Sequence, residues 1–182
     1  FPYTTLFRSE GTQVAVDYAH QHTDVKSLIM VGYSGEPLAK TVDWQLFRRA
    51  IDVFLATDVD TNHDQAVSLE EGKIWPEFSW GWEPGQQQVT FVEIEAYFRS
   101  LQVLKDEVAR LESLKLWQGI FHRPAIYQET AELPQDIYIF TGSEDIQTRP
   151  EEALLAQQEC AKKQKSNCVV QIVPGLGHAM SQ

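Results

Sequence analysis

Two residues capable of acid–base chemistry stand just beyond apolar runs. In DIYIFTGSEDIQTRP the run closes on Gly142, and Asp145 follows in the loop. In CVVQIVPGLGHAM a second run closes on Gly175, and His178 follows in a Gly-rich loop. A carboxylate that accepts the Nδ1–H of an imidazole fixes its tautomer and leaves Nε2 free to take a proton from a hydroxyl. Such a pair needs a nucleophile, and two serines are candidates: Ser34 in VGYSGEP and Ser9 in RSEGTQVAV. The remaining histidines and cysteines offer less. His20, His22, His63 and His122 have no ligand partners at a usable spacing, and Cys160 and Cys168 match no metal or redox spacing and read as ordinary thiols.

The elements that must position these groups are legible as periodicity. VKSLIMVGYSG (25–35), DIYIFTG (136–142) and CVVQIVPG (168–175) are short apolar runs closed by Gly, as buried parallel strands are. TQVAVDYAHQH (12–22) is expected to be a helix with Val14, Ala15, Tyr18 and Ala19 on one face. PEEALLAQQECAKKQ (150–164) has Pro in its first turn and Lys in its last, which suits a helix and its macrodipole. From 40 to 133 the chain is charged and helical and holds all five Trp. Helix, strand, helical insert, strand, helix, strand is the pattern of an α/β protein with helices on the faces of a parallel sheet. In open sheets of that kind reactive groups sit at the carboxyl ends of the strands.

The order Asp145 then His178, each on its own strand end, resembles the C-terminal part of the α/β-hydrolase fold. The likeness G-x-x-D…P…P-G-x-x-H runs through residues 136–182 and continues over 10–38, which are similar to the helix after the nucleophile and the next strand. It implies about three parallel strands with flanking helices, a helical lid at 40–133, and a Ser-His-Asp acyl-transfer site. Ser34 fits the nucleophile poorly, because Glu36 stands where the elbow G-x-S-x-G has its second Gly. Ser9, Glu10, Gly11 and Thr12 fit the S-E-G-T of hydrolase elbows, with a helix following at once. The resemblance therefore implies Ser9 as nucleophile, His178 as base, Asp145 as its orienting carboxylate and the Glu10 N–H as one oxyanion donor. FPYTTLFRS (1–9) has no initiator Met and no period, and it resembles the translation of a sequencing-library adapter. The chain is accordingly expected to be cut upstream and inactive by itself, with hydrolase segments at 10–39 and 134–182.

Within the insert, DTNHDQAVSLEE (60–71) resembles an EF-hand calcium loop. Asp60, Asn62 and Asp64 stand at the first, third and fifth positions, Ala66 gives a backbone carbonyl at the seventh, Ser68 is at the ninth and Glu71 at the twelfth. Gln65 departs from the Gly usual at the sixth, where the turn wants φ > 0. A decayed partner follows in WEPGQQQVTFVE (82–93), where Trp82, Pro84 and Gln86 replace the first ligands. Its Val89 and the first loop's Val67 occupy the position at which such loops pair. One Ca²⁺ is expected, and no organic cofactor. The helix that leaves the second loop is expected to carry Phe91, Ile94, Tyr97, Phe98, Leu101, Leu104, Val108 and Leu111 as one apolar stripe. The Trp residues are read as packing for the insert rather than as a sugar platform.

Composition narrows the partners. Net charge −11 argues against a nucleic-acid partner, which would need a basic face, and no apolar run reaches the ~20 residues of a membrane span. A small-molecule or peptide acyl substrate is the expectation, and a non-catalytic calcium-binding module on a degenerate hydrolase scaffold is its rival.

Overall fold

The three apolar runs become strands of one parallel sheet, two of them at its centre and the last at an edge. The structure is a computed structural model, and it describes residues 3–73 and 82–181. In chain order the sheet-forming part begins with β1 (Tyr3–Arg8), α1 (Gly11–Gln21), β2 (Val25–Val31) and α2 (Leu38–Asp43). The insert contains β3 (Ala66–Ser68), α3 (Leu69–Gly72), β4 (Gln88–Thr90), α4 (Phe91–Ser100) and α5 (Gln102–Glu112). The chain then returns through α6 (Tyr127–Glu132), β5 (Asp136–Gly142), α7 (Pro150–Lys162) and β6 (Cys168–Val173). Strands pair in the order β1-β2-β5-β6, all parallel. This is the α/β arrangement expected of the C-terminal part of an α/β-hydrolase fold. It has four strands where three were expected, because residues 3–8, set aside as adapter-like, pair with β2.

Contacts divide the chain into two compact units, Phe1–Thr41 with Gln118–Gln182, and Val42–Trp117. The insert is thus narrower than the 40–133 stretch marked by composition. Ile126 and Leu133 belong to the sheet core, with 0% and 1% of their surface exposed. That core is built from Leu28 and Met30 of β2, Ile137 and Ile139 of β5, and the inner faces of α1 and α7. Complete burial of each such side chain is worth ~1.5–3 kcal/mol. The inner face of α1 is Thr12, Ala15, Val16 and Ala19, whereas Val14 and Tyr18 point outward, contrary to expectation. The i, i+3, i+4, i+7 series from Thr12 is the one that faces the sheet, and small residues on it let the helix approach closely. A second correction concerns Cys160 and Cys168, which form a disulfide between the end of α7 and the start of β6.

Where the chain leaves and rejoins this unit, its two crossings are tied together. Ala39 N–H donates to Phe121 O, and Ile126 N–H donates to Gly35 O, both at 2.8 Å. Glu152 of α7, 1% exposed, fastens the outgoing segment by accepting the Gly35 and Glu36 N–H groups on Oε2 at 2.9 and 3.0 Å. Burial pushes its carboxyl up to about 6, against the Glu36 and Gly35 amides and the Arg149 charge, which favour ionisation.

In the second unit, wide-wound helical turns at Trp44–Arg48 and Ala50–Val59 precede the small antiparallel pair β3–β4. Phe47, Ile51, Leu55, Val67, Val89 and Ile94 are among its core residues. The stripe expected to run from Phe91 to Leu111 on one helix is broken at Leu101, whose φ −67 and ψ 119 are extended. A straight helix over that length would span ~30 Å and carry its far end past so small a core. The break lets Leu104 and Val108 pack against the same cluster as Phe91 and Phe98. Trp75 and Trp80 lie outside the described residues. Among the described residues, no helix is long and apolar enough to cross a membrane.

Candidate active site

The register fixes which loops share an edge. Arg8 is opposite Val31, Val31 opposite Phe140, and Gly142 opposite Val173, so all four parallel strands finish on the same side of the sheet. Ser9, Gly32, Asp145 and His178 follow those ends.

Asp145 and His178 meet beyond the ends of β5 and β6. His178 Nδ1 lies 2.8 Å from Asp145 Oδ2 and 3.0 Å from Oδ1, with the two residues 7% and 4% exposed. The Asp145 loop closes on its own carboxylate, since Gln147 N–H and Thr148 N–H donate to Oδ1 at 2.8 and 2.9 Å. Burial acts to raise this carboxyl, but the hydrogen bonds from His178, Thr148 and Gln147 outweigh it and leave it below its ordinary value. An ionised Asp145 is an acceptor only, so Nδ1 must carry the proton it receives. Nε2 is then the basic nitrogen.

Two glycines make the pairing possible. A Cβ on Gly142 would fall 1.9 Å from Leu176 O, so the His178 loop can cross β5 only where no side chain stands. Gly32 has φ +59, and a Cβ there would lie 2.6 Å from His178 Cε1 and 3.4 Å from Asp145 Oδ2. Gly142 and Gly32 appear in the sequence only as the closing residues of apolar runs.

Ser9 sits in the sharp turn between β1 and α1 with φ 55, a left-handed backbone that a non-Gly residue rarely adopts. Its N–H donates to Val31 O at 3.0 Å, which ties it to the residue before Gly32. Thr12, wholly buried, donates its hydroxyl to Ser9 O at 2.7 Å and accepts the Ser34 N–H at 3.0 Å. Ser34 is 1% exposed, and Gln13 Nε2 approaches its Oγ at 3.5 Å. The strained backbone is at Ser9 and not at Ser34.

The loop in the second unit folds around its acidic residues. Asp60, 2% exposed, accepts the Asp64 and Gln65 N–H groups, Asn62 Oδ1 accepts the Asp64 N–H, and Asp64 Oδ1 accepts the Ala66 N–H. Gln65 has φ 63, the left-handed turn anticipated for that position. Val67 pairs with Val89 across β3–β4, and Ala66 with Thr90. Ser68 and Glu71 form a capping box at the start of α3, and Thr61 also donates to Glu71 Oε1. The Ser68 amide and hydroxyl, with Thr61, hold the Glu71 carboxyl down at about 2. Among the described residues, no three His, Cys, Asp or Glu side chains converge as a metal-binding group.

No family model and no curated protein matches the chain. Solved structures similar to it include an α/β-hydrolase enzyme from a Medee basin deep-sea metagenome library, at 16% identity and TM-score 0.48 over 97% of this chain and 58% of that one. Others are the esterase domain of a Rhodothermus marinus protein (13%, TM-score 0.47, 98% and 53%) and a thermophilic esterase from Thermogutta terrifontis (16%, TM-score 0.46, 96% and 57%). The chain spans between a half and three fifths of their lengths.

Proposed function

We propose that the chain carries the triad of a serine hydrolase, with Ser9 as nucleophile, His178 as general base and Asp145 as the carboxylate that orients it. The observation that carries this reading is the left-handed backbone of Ser9 on the same sheet edge as the buried Asp145–His178 pair. A strained turn between strand and helix presents a side chain outward, and strain of this kind persists where the surroundings enforce it. His178 Nε2 takes the hydroxyl proton as Ser9 Oγ attacks an acyl carbonyl, and the imidazolium that forms is stabilised by Asp145. The Glu10 N–H at the start of α1 supplies one oxyanion donor. A second comes from an earlier strand–helix loop in folds of this type, and loss of one donor typically costs ~10²–10³ in rate. The activity is therefore assigned to the full-length protein, acting on a small-molecule or peptide acyl group.

The loop at 60–71 is proposed to take one Ca²⁺. Asp60, Asn62, Asp64, Ser68, Glu71 and the Ala66 carbonyl are hard oxygen donors of the type this ion prefers. The turn at Gln65 and the Val67–Val89 pairing support the reading. Glu71 would exchange its Ser68 and Thr61 partners for the ion, which would neutralise the concentrated loop charge.

A fluorophosphonate probe applied to the full-length protein tests the hydrolase. Labelling is expected at Ser9, to survive Ser34→Ala, and to be lost in His178→Ala and Asp145→Asn. Labelling that disappears with Ser34→Ala moves the nucleophile to Ser34. No labelling at all favours a calcium-binding module without catalysis.

A further inference from the structure

Thr148 is drawn into the Asp145–His178 pair more closely than a loop residue needs to be. It is 2% exposed, and besides the amide bond already described its Oγ1 lies 3.0 Å from Asp145 Oδ2 and 3.4 Å from His178 Nδ1. A hydroxyl has a single proton to give. Directed at Nδ1, it would favour the tautomer with the proton on Nε2, in which the imidazole cannot accept from a serine. Directed at Oδ2, it makes a charge-assisted bond, roughly twice as strong as a neutral one, and leaves Nδ1–H to the carboxylate. With Gln147 and Thr148 amides on Oδ1, this hydroxyl is the side-chain donor that shares Oδ2 with the imidazole.

We infer that Thr148 is a positioning residue for the Asp145–His178 pair, its hydroxyl holding the carboxylate in the plane of the ring and moderating its grip on Nδ1–H. The inference deepens the hydrolase reading and rests on it for any effect on catalysis, but the geometry it describes can be read without substrate. Thr148→Val keeps the branched shape and removes the donor. Two donors then no longer compete for Oδ2, so the Nδ1–H···Oδ2 bond tightens while the ionised carboxyl is less well solvated by the protein.

The test is NMR on the 182-residue chain. In Thr148→Val the His178 Nδ1 proton resonance should move downfield, and the Asp145 carboxyl titration should rise by about half to one pH unit, the worth of one hydrogen bond. Thr148→Ser should restore both signals. Should Thr148→Val not fold, Thr148→Ala reads the same two signals. Unchanged signals in the variant, or failure of Thr148→Ser to restore them, overturn the inference. Absent probe labelling of the full-length protein overturns the hydrolase reading instead, because these signals require no turnover.

Discussion

Glu152→Gln is expected to stabilise the protein at neutral pH. The residue is 1% exposed, and among the described residues its Oε1 has no hydrogen-bond partner, with Arg149 Nε at 3.9 Å. Burial pushes its carboxyl from 4.5 to about 6, so the fold favours its neutral form by ~2 kcal/mol. The sign follows from proton binding. Between pH 4.5 and about 6 the folded state holds a proton that the unfolded chain has released, so stability falls as pH rises through this window. Above it the full penalty remains, and below 4.5 it vanishes. A glutamine presents an oxygen to the same Gly35 and Glu36 amides without carrying charge. Denaturant melts of both proteins between pH 4 and 8 should therefore coincide near pH 4 and separate by up to ~2 kcal/mol at pH 7.5, with Glu152→Gln the more stable. In a chain of this size that separation corresponds to a rise in melting temperature of ~4–8 °C. A variant that is less stable at pH 7.5, or whose difference from wild type does not change with pH, would refute the reasoning, because the charge would then be contributing a net anchor to the segment.

Three further outcomes can be measured. Gly142→Ala should destabilise by at least ~1–3 kcal/mol and weaken the His178 Nδ1–H signal, since its Cβ meets the Leu176 carbonyl at 1.9 Å; normal stability with the signal intact would contradict this. Reduction of the Cys160–Cys168 bridge, which closes a short loop, should lower stability by ~2–3 kcal/mol, and a double Cys→Ala variant should become insensitive to reductant. Calorimetric titration with Ca²⁺ should give one site near ~10⁻⁴ M, lost in Glu71→Gln and kept in Glu93→Gln; two sites, or one that survives Glu71→Gln, would remove the assignment.

The parts of the fold visible in the sequence are those in which one local rule dominates. β2 and β5 are central strands with one face buried, and β6 beside them is half-buried at the edge; all three are short enough and apolar enough to stand out as runs. Pro150 and the closing lysines mark the span of α7. The pairing of Val67 with Val89 was visible because two loops of one spacing imply one register. What escaped depends on neighbours distant in sequence. The face of α1 is chosen by the sheet, and Thr12 faces inward because its hydroxyl bridges Ser9 and Ser34. Cys160 and Cys168 meet because a helix and the strand after it return to one place. Thr148 reads as an ordinary loop residue until the Asp145 loop closes around it, and β1 carries no periodic signal from which its pairing with β2 could be read.

The tied crossings at Gly35–Ala39 and Phe121–Ile126 make residues 42–117 topologically a side branch. Branches that begin and end at one doorway can be exchanged without rethreading the sheet. A short turn joining Ala39 to Phe121 would close the same hydrogen-bonded neck, with Glu152 still clasping its outgoing segment. The sheet that carries Asp145 and His178 and the acidic loop can thus be inherited, lost or transplanted separately, and a chimera need preserve only the doorway.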